Sequence, residues 1–152
     1  MKSLCALLLL GLQSLAALAA SSPSPVLWQF EVTINKGLTT TAEDGRLFLI
    51  LARTNNPEPR VTLGRTGLDA PEALARDVNA FAPGVVAVLD QTAFAFPITH
   101  LSELPAADYF VQALFDFNAN LRSPQSPGNL YSRPQKIHFD PARGGNWNLK
   151  LT

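Results

Sequence analysis

The stretch LPAADYFVQALFDF, from Leu104 to Phe117, decides the predicted fold of this chain. Apolar or small residues recur at every second position in it, namely at Tyr109, Val111, Ala113, Phe115 and Phe117. Successive side chains of a β-strand point to opposite faces of the sheet, so this alternation is typical of a strand with one face in the core. The segment LPAAD before it predicts a turn, and the whole stretch predicts a core strand.

Tyr109 begins this strand, and a tyrosine at such a position has a structural role in immunoglobulin-like β-sandwiches. There its hydroxyl bonds back to the backbone of the upstream turn. We therefore predict that Tyr109 is buried and makes this bond. The alternative is a catalytic rim that uses Asp108 and Asp116, but eight residues of strand separate them by about 27 Å. An acid–base carboxylate pair needs ~5 to 9.5 Å, so the two do not form a dyad with each other.

Other segments also have strand patterns. VLWQFEVTI, residues 26–34, alternates between apolar and polar positions and predicts a half-buried strand. LFLILA, residues 47–52, is continuously apolar and predicts a central strand that is covered on both faces. Shorter strands are predicted at VVAVLD after the turn Pro83-Gly84, at Phe94-Ala95-Phe96 and at QKIHFDP.

One short helix is predicted in the first half of the chain. Asp69 and Glu72 have the spacing of a capping box, Pro71 is tolerated in a first turn, and residues 73–76 favour helix. NNPEPR, residues 55–60, contains two prolines and predicts a loop or an edge. The sequence thus predicts an all-β fold: an immunoglobulin-like antiparallel β-sandwich with one short helix.

The N-terminus has the pattern of a secretory signal peptide. Lys2 precedes a long apolar run, and Ala17 and Ala19 fit an A-x-A cleavage site. The run is shorter than the ~20 residues that a membrane-spanning helix needs. We predict a signal peptide at 1–19, a Ser/Pro-rich linker at 20–25 and a sandwich at 26–141. Residues 142–152 are either the start of a linker or the last strand, and the protein is expected to be secreted or periplasmic.

Composition excludes several classes of partner. The 152 residues contain 12 Lys and Arg and 12 Asp and Glu, so no net field favours nucleic acid or an anionic membrane. Cys5, the only cysteine, lies in the predicted signal, so the exported chain is expected to have no disulfide and no thiol nucleophile. After signal removal we expect no membrane contact.

Motifs of enzyme chemistry are absent from the sequence: it contains no G-x-S-x-G, no H-E-x-x-H and no phosphate-binding glycine loop. His138 lies two residues before Asp140, a pattern that is usually a solvated strand face, and a zinc site would need three or four ligands. His100 is expected to have a structural role in the turn before Tyr109. We therefore predict no catalytic residue, no cofactor and no metal site.

Five segments together carry a resemblance to a known family: RLFLILA, NPEPR, DVNAFAPG, FPITHLSELPAADYFVQALF and SPGNLYSRPQKIHFDP. Between about Phe30 and Pro141, the chain resembles the N-terminal domain of secreted bacterial esterases. The resemblance implies an immunoglobulin-like domain that precedes an α/β-hydrolase domain similar to enterochelin esterases. Larger members have a longer insertion where this chain has the loop 119–125. No catalytic residue of the family has a matching position here.

The resemblance favours a non-catalytic accessory domain whose partner is a downstream α/β-hydrolase domain, if the chain is a fragment. The alternative is a free-standing exported ligand- or protein-binding module. Asn129 and Tyr131 lie in the loop that such a module would use. Trp147 belongs to an apolar stripe that either completes the sandwich or docks elsewhere. These three residues form the predicted interface, and Tyr109 is the predicted structural residue.

Overall fold

A computed structural model of the chain describes residues 27–118, 120–121 and 123–152. The strands are β1 (Trp28–Ile34), β2 (Glu43–Ala52), β3 (Glu72–Phe81), β4 (Val86–Asp90), β5 (Phe94–Phe96), β6 (Ala107–Asp116), β7 (Leu130–Tyr131), β8 (Gln135–Phe139) and β9 (Gly145–Leu151). One short helix, α1 (Pro59–Thr62), lies between β2 and β3. Two single 3₁₀ turns, Gly67–Asp69 and Leu101–Glu103, precede β3 and β6.

The strands form two sheets. The smaller sheet has the order β4-β1-β9, and the larger one has the order β5-β3-β2-β6, with β7 and β8 pairing one after the other along the far edge of β6. LFLILA lies in β2, between β3 and β6, and is the central strand that the sequence predicts. The prediction of a mainly β chain is confirmed: the described residues form two sheets, one short helix and two 3₁₀ turns.

The two sheets share one hydrophobic core. Each central strand contributes its alternate residues to it, as the period-two patterns of β1 and β6 predict. The core residues of these strands are Trp28, Phe30, Val32 and Ile34 of β1, Leu47, Leu49 and Leu51 of β2, and Tyr109, Val111, Ala113 and Phe115 of β6. Burial of these side chains is the main source of stability, since each stabilises the fold by roughly 1.5–3 kcal/mol.

Helix α1 covers part of the outer face of the larger sheet. Gln112 of β6 lies there beside Ile50, and both side chains are buried. The Gln112 side-chain oxygen accepts a hydrogen bond from the backbone N–H of Arg60 at 2.9 Å, and its amide donates to the carbonyl of Ser132 at 2.8 Å. A buried amide is tolerated because both of its ends are bonded, and it fixes the helix to the sheet.

The predicted helix at residues 69–76 is wrong. Residues 72–81 form strand β3, which pairs with β2 on one side and with β5 on the other. The spacing of Asp69 and Glu72 is a local signal, and ladder pairing in the sheet overrides local helix propensity. The observed helix instead begins at Pro59, within the stretch predicted as a loop or an edge. Proline suits a first helical position because the N–H that it lacks would have no partner there.

The sequence left open whether residues 142–152 are the start of a linker or the last strand, and the structure decides this. Residues 145–151 form β9, the last strand, with Leu149 and Leu151 buried in the core. β9 pairs with β1 in parallel, so the expectation of a purely antiparallel sandwich is wrong. The sheets therefore extend to Leu151, ten residues beyond the predicted boundary at 141.

The N-terminal predictions concern residues that the structure does not describe. The signal peptide at 1–19, the linker at 20–25 and Val26 lie outside the described residues. Within the part of the chain that is described, no helix has the length and apolar character needed to cross a membrane.

Candidate functional site

A cavity of about 500 Å³ lies at the end of the larger sheet where β2 ends and β6 begins. We call it the corner cavity. It is bounded by the β2–β3 connection on one side and by the turn before β6 on the other. Its walls include Leu51, Arg53, Arg65, Glu72, Leu104 and Tyr109. Pockets of this size that combine apolar walls with a few polar groups are typical of small-molecule sites.

Tyr109 forms the structural corner beside this cavity. It is 2% exposed, and its hydroxyl donates a hydrogen bond to the backbone carbonyl of Pro105 at 3.0 Å. This is the bond to the preceding turn that the sequence predicts. Burial raises the pKa of the Tyr109 phenol, because the phenolate would be poorly solvated. The guanidinium of Arg53 lies over the ring, 4.1 Å from its centroid, which holds a cation at the cavity wall.

Glu72, the first residue of β3, brings a carboxylate to the same cavity. Its Oε2 atom is buried and has no hydrogen-bond partner among the described residues. Burial raises the pKa of this carboxyl, because the charged form loses hydration. Carboxylates with a raised pKa in a cavity are candidates for functional groups.

A second apolar feature, which we call the aromatic groove, lies on the outer face of the larger sheet near its β5 edge. The groove encloses about 330 Å³ between Phe48, Leu63, Phe94 and Phe96. Phe94 and Phe96 are 70% and 54% exposed, since their strand pairs with β3 in a register that leaves both rings on the outer face. Exposed aromatic side chains around an apolar groove are typical of protein contact surfaces.

Asn129, a predicted interface residue, does not lie on the surface. It is 9% exposed, and its side-chain oxygen accepts hydrogen bonds from the backbone N–H groups of Phe117 and Asn118, each at 3.3 Å. Its amide donates to the carbonyl of Ser123 at 3.2 Å. The side chain therefore ties the end of β6 to the following loop, which corrects its expected role in binding.

The other two predicted interface residues differ from each other. Trp147 is half-buried and stacks on Phe30 with ring centroids 4.8 Å apart, so it belongs to the packing between strands and not to a free surface. Tyr131 is exposed, and the guanidinium of Arg60 lies 3.9 Å from its ring centroid. Tyr131 is thus the one residue of the predicted three that presents its side chain to solvent.

Both histidines are exposed, and His138 has a partner that the sequence pattern did not indicate. His138 Nδ1 lies 2.9 Å from Asp108 Oδ1 on the neighbouring strand, and not beside Asp140. Hydrogen bonds from His138 and Lys136 lower the pKa of Asp108. The turn that contains His100 is held by the Glu103 carboxylate, which accepts the backbone N–H of His100 at 3.0 Å. His100 is the N-cap residue of the 3₁₀ turn Leu101–Glu103, a position that agrees with its expected structural role in the turn before Tyr109.

Sequence reasoning missed the corner cavity. In the sequence, Arg53 only follows the predicted strand LFLILA, and Glu72 belongs to the predicted helix cap. No local pattern places these residues together. Arg53 reaches Tyr109 because LFLILA pairs antiparallel with YFVQALF, which sets Ala52 opposite Phe110. Glu72 was also missed because its strand was interpreted as a helix.

Comparison of the chain with protein-family models, with curated proteins and with solved structures found no match.

Proposed function

We propose that this chain is an exported, non-catalytic β-sandwich domain with an immunoglobulin-like arrangement, which serves as an accessory domain of a secreted esterase. The segments from about Phe30 to Pro141 that resemble such domains are the starting point. The aromatic groove is the observation that carries the accessory role, because it offers a surface on which a second domain can pack.

The strand order supports the immunoglobulin-like arrangement. β1 and β4 are antiparallel neighbours in one sheet, as strands B and E are in immunoglobulin domains, and β2, β6 and β8 are neighbours in the other, as C, F and G are. Tyr109 then takes the place of the tyrosine near the start of strand F. The arrangement departs at strand A, because the C-terminal strand β9 lies beside β1 in that place.

The aromatic groove supports docking on a folded partner more than binding of a polar solute. Phe94 and Phe96 present large, rigid apolar surfaces, and a covering domain would bury the 70% and 54% of these residues that are exposed. Aromatic anchors of this kind account for much of the binding energy at protein interfaces. A hydrolase domain that covers the groove would remove both rings from water.

The first experiment concerns catalysis and the gene. Residues 20–152 are purified and assayed with a short-chain nitrophenyl ester, and no hydrolysis is expected. Sequencing the DNA downstream of the codon for Thr152 is expected to reveal a continuing frame with a G-x-S-x-G motif. Hydrolysis that disappears on replacement of His100 or His138 would contradict the non-catalytic assignment.

The second experiment concerns docking. The encoded hydrolase domain is produced as a separate polypeptide, and its binding to residues 20–152 is measured by calorimetry. The double variant Phe94→Ser, Phe96→Ser is expected to weaken binding by tenfold or more, because truncation of interface anchors typically costs ≥ ~2 kcal/mol. Val86→Ser is the matched control, since Val86 is exposed and apolar but belongs to the other sheet. Equal binding by all three proteins would refute docking through the groove.

A free-standing exported binding module is the second candidate, and the corner cavity favours it. The cavity combines apolar walls with Arg53, Arg65 and Glu72, whereas the accessory role does not require such a pocket. A reading frame that stops after Thr152 would favour this second function over the first.

A further inference from the structure

Two groups of opposite charge line the corner cavity without pairing with each other. Arg53 takes no part in the salt bridges formed among the described residues, and Glu72 Oε2 is buried without a partner there. Burial of a charged or polar group without a partner is unfavourable. Arg53 is exposed and bears no such cost, whereas burial of Glu72 Oε2 has a cost that a bound hydrogen-bond donor would remove.

The position of each group fits a ligand. The Arg53 guanidinium rests on the face of Tyr109, and the tyrosine hydroxyl is itself bonded to Pro105. The ring is thereby fixed, and the guanidinium lies over its face, 4.1 Å from the ring centroid. Arg65 adds a second cation to the wall. A guanidinium suits a carboxylate because its donors match the two oxygens of that group.

Most of the remaining wall is apolar, and its uncharged polar residues include Thr54 and Thr62. Leu51, Leu68, Leu104 and Pro105 contribute to a volume of about 500 Å³, which is large enough for a molecule of the size of an aromatic amino acid. Apolar walls favour a hydrocarbon or aromatic body, and Glu72 favours a donor such as an ammonium group near it.

We propose that the corner cavity binds a small zwitterion with an apolar body, such as an apolar amino acid, whose carboxylate pairs with Arg53 and whose ammonium pairs with Glu72. This site does not depend on the accessory function, because Phe94 and Phe96 do not line the cavity. Ligand binding in the corner cavity is therefore tested separately from docking on the aromatic groove.

The test uses three probes with the same aromatic body. L-Phenylalanine has both charged groups, 3-phenylpropionate lacks the ammonium, and 2-phenylethylamine lacks the carboxylate. Thermal denaturation of the exported protein, from Ala20, is followed with each probe at millimolar concentration. Phenylalanine is expected to raise Tm, since a ligand that binds only the native state stabilises it, and each truncated probe is expected to raise it less.

Variants test the roles proposed for the two charged groups in ligand binding. Calorimetry with phenylalanine is repeated on Arg53→Gln and Glu72→Gln, and each is expected to weaken binding by roughly tenfold or more, the loss that follows removal of a hydrogen bond to a charged group. Arg133→Gln, an exposed arginine outside the cavity, is the matched control and is expected to bind normally.

The proposal is overturned if phenylalanine leaves Tm unchanged, if the three probes act equally, or if both cavity variants bind as the unmodified protein does. The probe series needs no variant, so it remains decisive even if Arg53→Gln, which loses its contact with Tyr109, fails to fold.

Discussion

Replacement of Tyr109 by phenylalanine isolates the hydrogen bond between the Tyr109 hydroxyl and the turn before β6. The ring stays in place, together with its edge contact to Phe139 and the guanidinium of Arg53 over its face. The change therefore removes only the hydroxyl that donates to the carbonyl of Pro105 at 3.0 Å. Loss of such a bond costs ~1 kcal/mol, and up to about 3 if a buried partner is left unsatisfied. Because Pro105 is exposed, water can reach its carbonyl, and we expect about 1 kcal/mol.

Urea denaturation followed by the fluorescence of Trp28 and Trp147 measures this loss. Both indoles pack against the core, so their emission reports unfolding of the whole sandwich. Tyr131→Phe is the matched control: Tyr131 is 38% exposed, and we expect its change to stay within ~0.5 kcal/mol. Equal midpoints for the Tyr109→Phe protein and the unmodified protein would refute the stabilising role of the corner.

Four further measurements test the packing and the ionisation of the chain. Gly45→Ala should destabilise the fold by ~1–3 kcal/mol in urea denaturation, because a Cβ there would lie 2.5 Å from a backbone carbonyl oxygen of β6. Gln112→Leu should cost roughly 2–4 kcal/mol by the same measurement, because the buried carbonyl of Ser132 and the part-buried groups of Arg60 and Glu58 lose their partner. In the Tyr131→Phe variant, Tyr109 is the only tyrosine, and its pKa, measured by ultraviolet titration, should lie above the ordinary value of 10. The tyrosine of the unfolded chain then loses its proton at a lower pH than that of the folded chain, so the free energy of unfolding should fall as pH rises past about 10. Glu72→Gln should raise the denaturation midpoint at pH 7, because burial of this carboxyl raises its pKa and thus destabilises its charged form. The gain should vanish as pH falls below the ordinary pKa of 4.5, where the carboxyl is protonated in both the folded and the unfolded chain.

Strands with a clear alternation of apolar and polar residues were predictable from the sequence. β1 and β6 bury the residues that their period assigns to the core, and LFLILA is the central strand of its sheet. Tyr109 could also be assigned, because its hydrogen-bond partner lies only four residues upstream. In these cases the information is local: strand period and short turns depend on neighbouring residues.

Pairing between distant segments was not predictable from these patterns. β3 was interpreted as a helix because its local signals favour one, and only its ladders with β2 and β5 make it a strand. The parallel pairing of β9 with β1 likewise joins the two ends of the described chain, and no turn residue encodes it.

The sequence by itself determined the β character of the chain, the alternate residues of its main strands and the corner at Tyr109. Only the tertiary structure decided which strands are neighbours, that Asn129 and Trp147 serve packing, and that Arg53 and Glu72 line one cavity. The physical reason is that residue periodicity fixes which face a side chain takes, whereas contacts between segments depend on the packing of the whole core.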